Sequence, residues 1–184
     1  MNNYSRLQQL LHKFALSSKF IRTVTFDAEN LLTKPKQKID NHVFISGLAR
    51  SGSTILLNAI FKSNEFSSLL YKDMPFILAP NLWSILSSTN NIITPVERSH
   101  GDGIMVSLNS PEAFEEVFWK TIGDERADSE EKFKSYVNLI NHKYKQQRYL
   151  SKNNQNIRRI SLINNIFPKS KILIPYRNPI QQAN

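Results

Sequence analysis

Cysteine is absent from the 184 residues, which excludes disulfides, thiolate metal sites and a cysteine nucleophile. No apolar run approaches the roughly 20 residues of a membrane-spanning helix, and the N-terminus lacks the basic-then-apolar layout of a secretory leader. A cytoplasmic protein without a membrane span is the expectation. Acidic side chains are scarce: 15 Asp and Glu against 24 Lys and Arg leave a formal net charge of +9. Such an excess favours anionic partners, from nucleic acid to a polyanionic nucleotide. The cations are dispersed, as in Lys34-Pro-Lys-Gln-Lys38, Lys143-Tyr-Lys145 and Arg158-Arg159, and form no single stripe. No nucleic-acid partner is therefore expected, and Arg158 and Arg159 read as helix-surface charges. With 40% apolar residues the chain is globular, and its length suits one domain with a real core.

Glycine is also rare, at five residues, and two of the five stand in one informative stretch, His42-Val-Phe-Ile-Ser-Gly-Leu-Ala-Arg-Ser-Gly-Ser-Thr-Ile-Leu-Leu-Asn-Ala-Ile-Phe61. A short β-branched and aromatic run breaks at Gly47, crosses a small polar turn and restarts at Thr54 as a helix with Ile55, Leu56, Ala59 and Ile60 apolar. It reads strand, loop, helix. Gly47 and Gly52 take the glycine positions of a G-x-x-x-x-G-K-[ST] phosphate loop, with Ser53 in the lysine slot and Thr54 in the hydroxyl slot. The backbone N–H groups that open a helix lack intrahelical partners and carry partial positive charge, so Gly52, Ser53 and Thr54 suit an approaching anion. The cation is supplied by Arg50, whose planar fork fits a tetrahedral oxyanion. A plain Gly-Ser turn in a βα unit remains the other reading of this motif alone.

Beyond the loop the chain keeps an α/β rhythm. Leu7, Leu10, Leu11 and Phe14 have helical spacing, and a second helix is read over 25–32, before the polar linker 34–41. Phe66 to Tyr71 suggests a second strand, and Met74-Pro75 a helix start for which Asp73 is either the cap or a base beside the phosphate loop. Pro80 should redirect that helix, and Trp83 reads as core. Asn90 to Gly103 reads as a long loop whose Glu97, Arg98, His100 and Asp102 form a candidate acceptor-side cluster, with His100 a possible base. A strand over 104–108, a helix from Ser110-Pro111-Glu112 and a longer one from Ser129 follow. A strand ending near Lys152, a helix stopped at Phe167-Pro168 and a buried-type strand from Lys171 to Tyr176 complete the reading.

The segment Gly47-Leu-Ala-Arg-Ser-Gly-Ser-Thr-Ile-Leu56 resembles the phosphosulfate-binding loop of sulfotransferases, which use 3'-phosphoadenosine-5'-phosphosulfate (PAPS) as donor. Asp73-Met-Pro-Phe-Ile-Leu-Ala-Pro-Asn-Leu-Trp83 and Phe167-Pro-Lys-Ser-Lys-Ile-Leu-Ile-Pro-Tyr-Arg-Asn-Pro179 resemble later segments of the bacterial branch of that family. The resemblance implies a P-loop-type α/β fold, a mainly parallel central sheet flanked by helices, over residues 42–184, after an N-terminal helical segment and linker over 1–41. It implies donor binding by Arg50, Ser51, Gly52, Ser53 and Thr54, a 3'-phosphate contact from Arg177, and Asp73 as base. Lys152 is expected near the sulfuryl group. The acceptor would be a hydroxyl, or an amine, on a small molecule, lipid or saccharide, and no metal is demanded. Family members usually continue past this point, so the chain is expected to be incomplete at its C-terminus. The competing readings are a nucleotide kinase or NTPase with an altered loop, and a non-catalytic anion- or nucleic-acid-binding module.

Overall fold

The computed structural model describes residues 15, 18–34, 40–87, 96–97, 105–178 and 180. The amphipathic spacing at Leu7 to Phe14 lies outside them. Four parallel strands form the central sheet: β1 (Val43–Ile45), β2 (Phe66–Ser67), β5 (Arg148–Lys152) and β6 (Lys171–Leu173), in the spatial order β2-β5-β1-β6. Their outer layers are α1 (Lys19–Thr33), α2 (Ser53–Phe61), α3 (Pro80–Leu86), α4 (Glu115–Ile122), α5 (Ser129–Tyr144) and α6 (Ile160–Ile166). A separate antiparallel pair, β3 (Val96–Glu97) and β4 (Met105–Val106), brackets part of the expected long loop.

Period-two alternation in β1 sorts the two faces. Val43 and Ile45 pack with Leu150, Phe66 and Leu57 of α2 on one side. Phe44 and Tyr149 turn to the other, where Phe133, Tyr136, Val137 and Ile140 of α5 meet Phe118 and Trp119 of α4 and Phe26 of α1. The rings there interlock edge-on and offset, as Phe26 on Phe118 at 5.8 Å and Phe133 on Trp119 at 4.4 Å, geometry that aromatic quadrupoles favour.

Helix α1 begins six residues before the expected Thr25, and its Glu29 carboxylate is fully buried. Glu29 accepts hydrogen bonds from the backbone N–H groups of Asn81 (2.7 Å) and Leu82 (2.9 Å), so it caps α3 from another helix. Pro80 accordingly starts α3 at its first position, where a missing N–H costs nothing, and does not redirect a helix begun at Pro75. Similarly, α4 opens at Glu115 and not at Pro111, because Pro111 is bridged to Leu70. Strand β6 is shorter than the expected Lys171 to Tyr176 and only half-buried: among the described residues it pairs with β1 alone.

His42, just before β1, is buried with Nδ1 accepting the Tyr149 N–H at 3.0 Å and its ring set edge-on to Phe167 at 4.5 Å. Burial, helped by the Arg148 charge, lowers its pKa to about 4.

Candidate functional site

The site is built where β1 ends. Ser46 donates its N–H to Leu173 of β6 at 2.9 Å, and Asn153, just beyond β5, donates its N–H to Ile45 at 2.9 Å. The start of the loop is thus held on both sides by neighbouring strands. Gly47 passes so close to the chain after β6 that an added Cβ would lie 3.0 Å from the Pro175 carbonyl oxygen and 3.1 Å from Ser51 Oγ. Gly47→Ala is expected to cost about 1–3 kcal/mol through this overpacking, read by chemical denaturation. Unchanged stability would mean that the loop and Pro175 separate freely.

The loop then turns through two left-handed residues, Arg50 at φ 62° and Gly52 at φ 88°. Glycine adopts this conformation without steric cost, whereas Arg50 adopts it against its Cβ. Gly52 is the N-cap of α2; no side chain caps that end and no acidic residue stands in the first turn. The backbone N–H groups of Ser53 and Thr54 therefore have no acceptor among the described residues. Ser51 Oγ and Asn154 Oδ1 are buried nearby in sequence to this edge and likewise lack a partner. Orphan donors, a helix dipole and an adjacent exposed guanidinium are the features that an oxyanion cradle requires.

The other expected donor-side residues share this edge of the sheet. Lys152 ends β5 with its Cα level with Ile45, and is half-buried. Arg177 lies two residues beyond Pro175 and is exposed. Arg50, Lys152 and Arg177 thus lie at or just past the carboxyl ends of three adjacent parallel strands, β1, β5 and β6, where open α/β sheets hold ligands.

The sequence model of the sulfotransferase family matches residues 42–184. This chain belongs to the sulfotransferase family. Two solved structures share its fold: sulfotransferase STF1 from Mycobacterium tuberculosis H37Rv, with a TM-score of 0.58 at 12% identity over 94% of this chain, and sulfotransferase STF9 from Mycobacterium avium, with a TM-score of 0.58 at 12% identity over 99%. The chain spans 56% and 55% of the length of those two proteins. No functionally curated protein matches it. The architecture is the P-loop-type α/β fold that the family resemblance implied. No described helix is long and apolar enough to cross a membrane.

Asp73, the expected base of this sulfotransferase fold, is fully enclosed at the end of a short 3-10 turn, Tyr71–Asp73. One oxygen accepts from Lys143 Nζ at 2.6 Å, the other from the Leu70 N–H at 2.7 Å, and the Tyr144 hydroxyl reaches both, at 2.9 and 2.7 Å. Lys143 Nζ also donates to the Pro80 carbonyl at 2.7 Å. Burial and the carboxylate raise the Tyr144 pKa, keeping the phenol protonated as a donor. The arrangement suits an anchor between β2, α3 and α5 better than a proton acceptor, and it caps no helix at Pro75. His100, Arg98 and Asp102 lie outside the described residues.

A further group escaped the sequence reading. Glu115 and Glu116, adjacent in the first turn of α4, take donors from the connection after β5. Asn156 Nδ2 reaches Glu115 at 2.6 Å, Asn153 Nδ2 reaches Glu116 at 2.8 Å, and Arg159 reaches Glu116 at 2.9 Å and Asp124 at 2.8 Å. Hydrogen bonding to Arg159 holds the Asp124 pKa below the usual carboxylate range. Arg159 is therefore not the surface charge expected of it. The available signal was the spacing of three between Asn153, Asn156 and Arg159, which a 3-10 turn over Asn154–Arg158 aligns on one side.

Proposed function

We propose that this chain binds PAPS at the N-terminus of α2 and transfers its sulfuryl group to a hydroxyl, or an amine, of a small-molecule, lipid or saccharide acceptor. The observation that carries the reading is the uncapped start of α2 behind Gly52, with Arg50 alongside and family membership across residues 42–184. PAPS supplies an activated sulfuryl group and a phosphate leaving group; the protein's part is positioning and charge stabilisation. In this reading Arg50, the Ser51 hydroxyl and the N–H groups of Gly52, Ser53 and Thr54 hold the 5'-phosphate side and stabilise its growing charge. Lys152 faces the sulfuryl oxygens, and Arg177 takes the 3'-phosphate. With the Asp73 carboxylate fully engaged, His100 is the base we assign to the acceptor proton.

The test is calorimetric titration with the product nucleotide, 3'-phosphoadenosine-5'-phosphate, with ADP and ATP plus magnesium as comparisons. The 3'-phosphorylated nucleotide should bind selectively. Arg50→Ala should weaken it by about 1.5–3 kcal/mol, the size of a charged hydrogen bond. Unchanged affinity would remove Arg50 from the site, and a preference for magnesium-ATP would replace the sulfotransfer reading with phosphoryl transfer.

A further inference from the structure

We infer that Asn153 is a positioning residue for the phosphate loop and for Lys152, and that Glu116 is the group that holds it. This rests on the donor-binding reading above. Asn153 occupies the junction between the two halves of the cradle: it follows Lys152 directly, and its N–H bonds the Ile45 carbonyl at 2.9 Å, two residues before Gly47. The next residue repeats the link, since the Asn154 carbonyl accepts from Ser46 Oγ at 3.4 Å.

The Asn153 side chain is buried and nearly saturated. Its Oδ1 accepts the Gln155 N–H at 3.0 Å, closing the 3-10 turn, and its Nδ2 donates to Glu116 at 2.8 Å and to Asn156 Oδ1 at 3.2 Å. These bonds leave the amide one orientation, and the backbone on either side follows it. Glu116 is itself held by the Arg159 guanidinium, which lies 5.1 Å over the Trp119 ring. Its neighbour Glu115 accepts from Trp119 Nε1 at 3.1 Å, Tyr149 at 3.2 Å and Asn156 at 2.6 Å.

A buried carboxylate, Glu115, and a half-buried one, Glu116, beside a site built for anions would repel the ligand if they faced it. Here the bonds above aim both at donors on the β5–α6 connection, and Arg159 offsets the charge of Glu116. A site assembled from three strand ends needs its walls in register to within a fraction of an ångström, and a largely enclosed, well-bonded polar network supplies that constraint. Lys152 alone, on a free strand end, would not be so constrained.

The test swaps the polarity of one contact. Asn153→Asp keeps the shape and the bond to Gln155 but sets a carboxylate against Glu116. It should weaken binding of 3'-phosphoadenosine-5'-phosphate about tenfold and shift the Gly47 and Gly52 amide resonances. Asn153→Asp/Glu116→Gln restores a donor and an acceptor, and should return affinity to within about threefold of wild type and both resonances toward their original positions. Glu29→Gln, which weakens the capping of α3 away from the loop, should lower Tm and leave affinity and both glycines unmoved. Positioning is overturned if Asn153→Asp changes neither readout, if the double variant fails to recover, or if Glu29→Gln causes the same loss of affinity. Absent binding by the wild-type chain would sink the donor reading separately, and the glycine resonances would then decide the positioning role alone.

Discussion

Asp73→Ala is expected to lower folding stability by about 3–5 kcal/mol, the usual cost of removing one partner from a buried ion pair. The reason is what the substitution leaves behind. Lys143, 10% exposed against the fully buried carboxylate, would lose its counterion, while the Leu70 N–H would lose its acceptor. For a chain of this size that corresponds to a fall in Tm of roughly 10 °C. Asp73→Asn, which retains one acceptor oxygen, should fall between this variant and wild type. Pairing it with Lys143→Met should recover part of the loss, because the stranded charge is then gone. Affinity for 3'-phosphoadenosine-5'-phosphate should stay within about threefold throughout. If Asp73→Asn kept the wild-type Tm and abolished sulfuryl transfer, the carboxylate would belong to the reaction and not to the frame.

The second large effect is set by acidity. His42 has a pKa of about 4 in the folded chain, against about 6.5 unfolded. Below pH 6.5 the unfolded chain takes up a proton that the folded one refuses until about pH 4, so this residue's contribution is intact above 6.5 and is lost as pH falls through that window. The total is about 3 kcal/mol, at most about 1.4 kcal/mol per pH unit. Carboxylates titrate in the same range, so the informative quantity is a difference. His42→Asn keeps an acceptor for the Tyr149 N–H and should flatten the slope of stability against pH by close to one proton between pH 4 and 6.5. A proton NMR titration should show the His42 ring neutral at pH 5; a midpoint near 6.5 would refute the argument.

What could be read from the residues alone divides along sequence distance. The strand, loop and helix from His42 to Phe61 were legible because every determinant is local: a β-branched run, two spaced glycines, then helical apolar spacing. The long helix from Ser129 was legible for the same reason, as Phe133, Tyr136, Val137 and Ile140 keep one face and all four are buried. Asp73 was not, since its decisive partners Lys143 and Tyr144 are 70 and 71 residues away. Arg159 likewise meets Glu116 across 43 residues, and Glu29 meets Asn81 across 52. Composition gave a charged residue no reason to be inside, and the fold supplied one in each case. Short strands fared worst at their ends: β2 stops at Ser67 and β6 at Leu173, where the pairing neighbour, not the local propensity, sets the limit.

Helix α1 lies outside the residues that the family model matches, yet its Phe26 sits in the main core and its Glu29 seals the start of α3. The stretch that the family sequence model spans and the stretch that packs into one core therefore have different beginnings. A graft that transplanted only residues 42–184 into another protein would carry α3 with two bare N–H groups and a core missing one of its aromatic rings. Sequence likeness and packing draw their borders in different places on this chain.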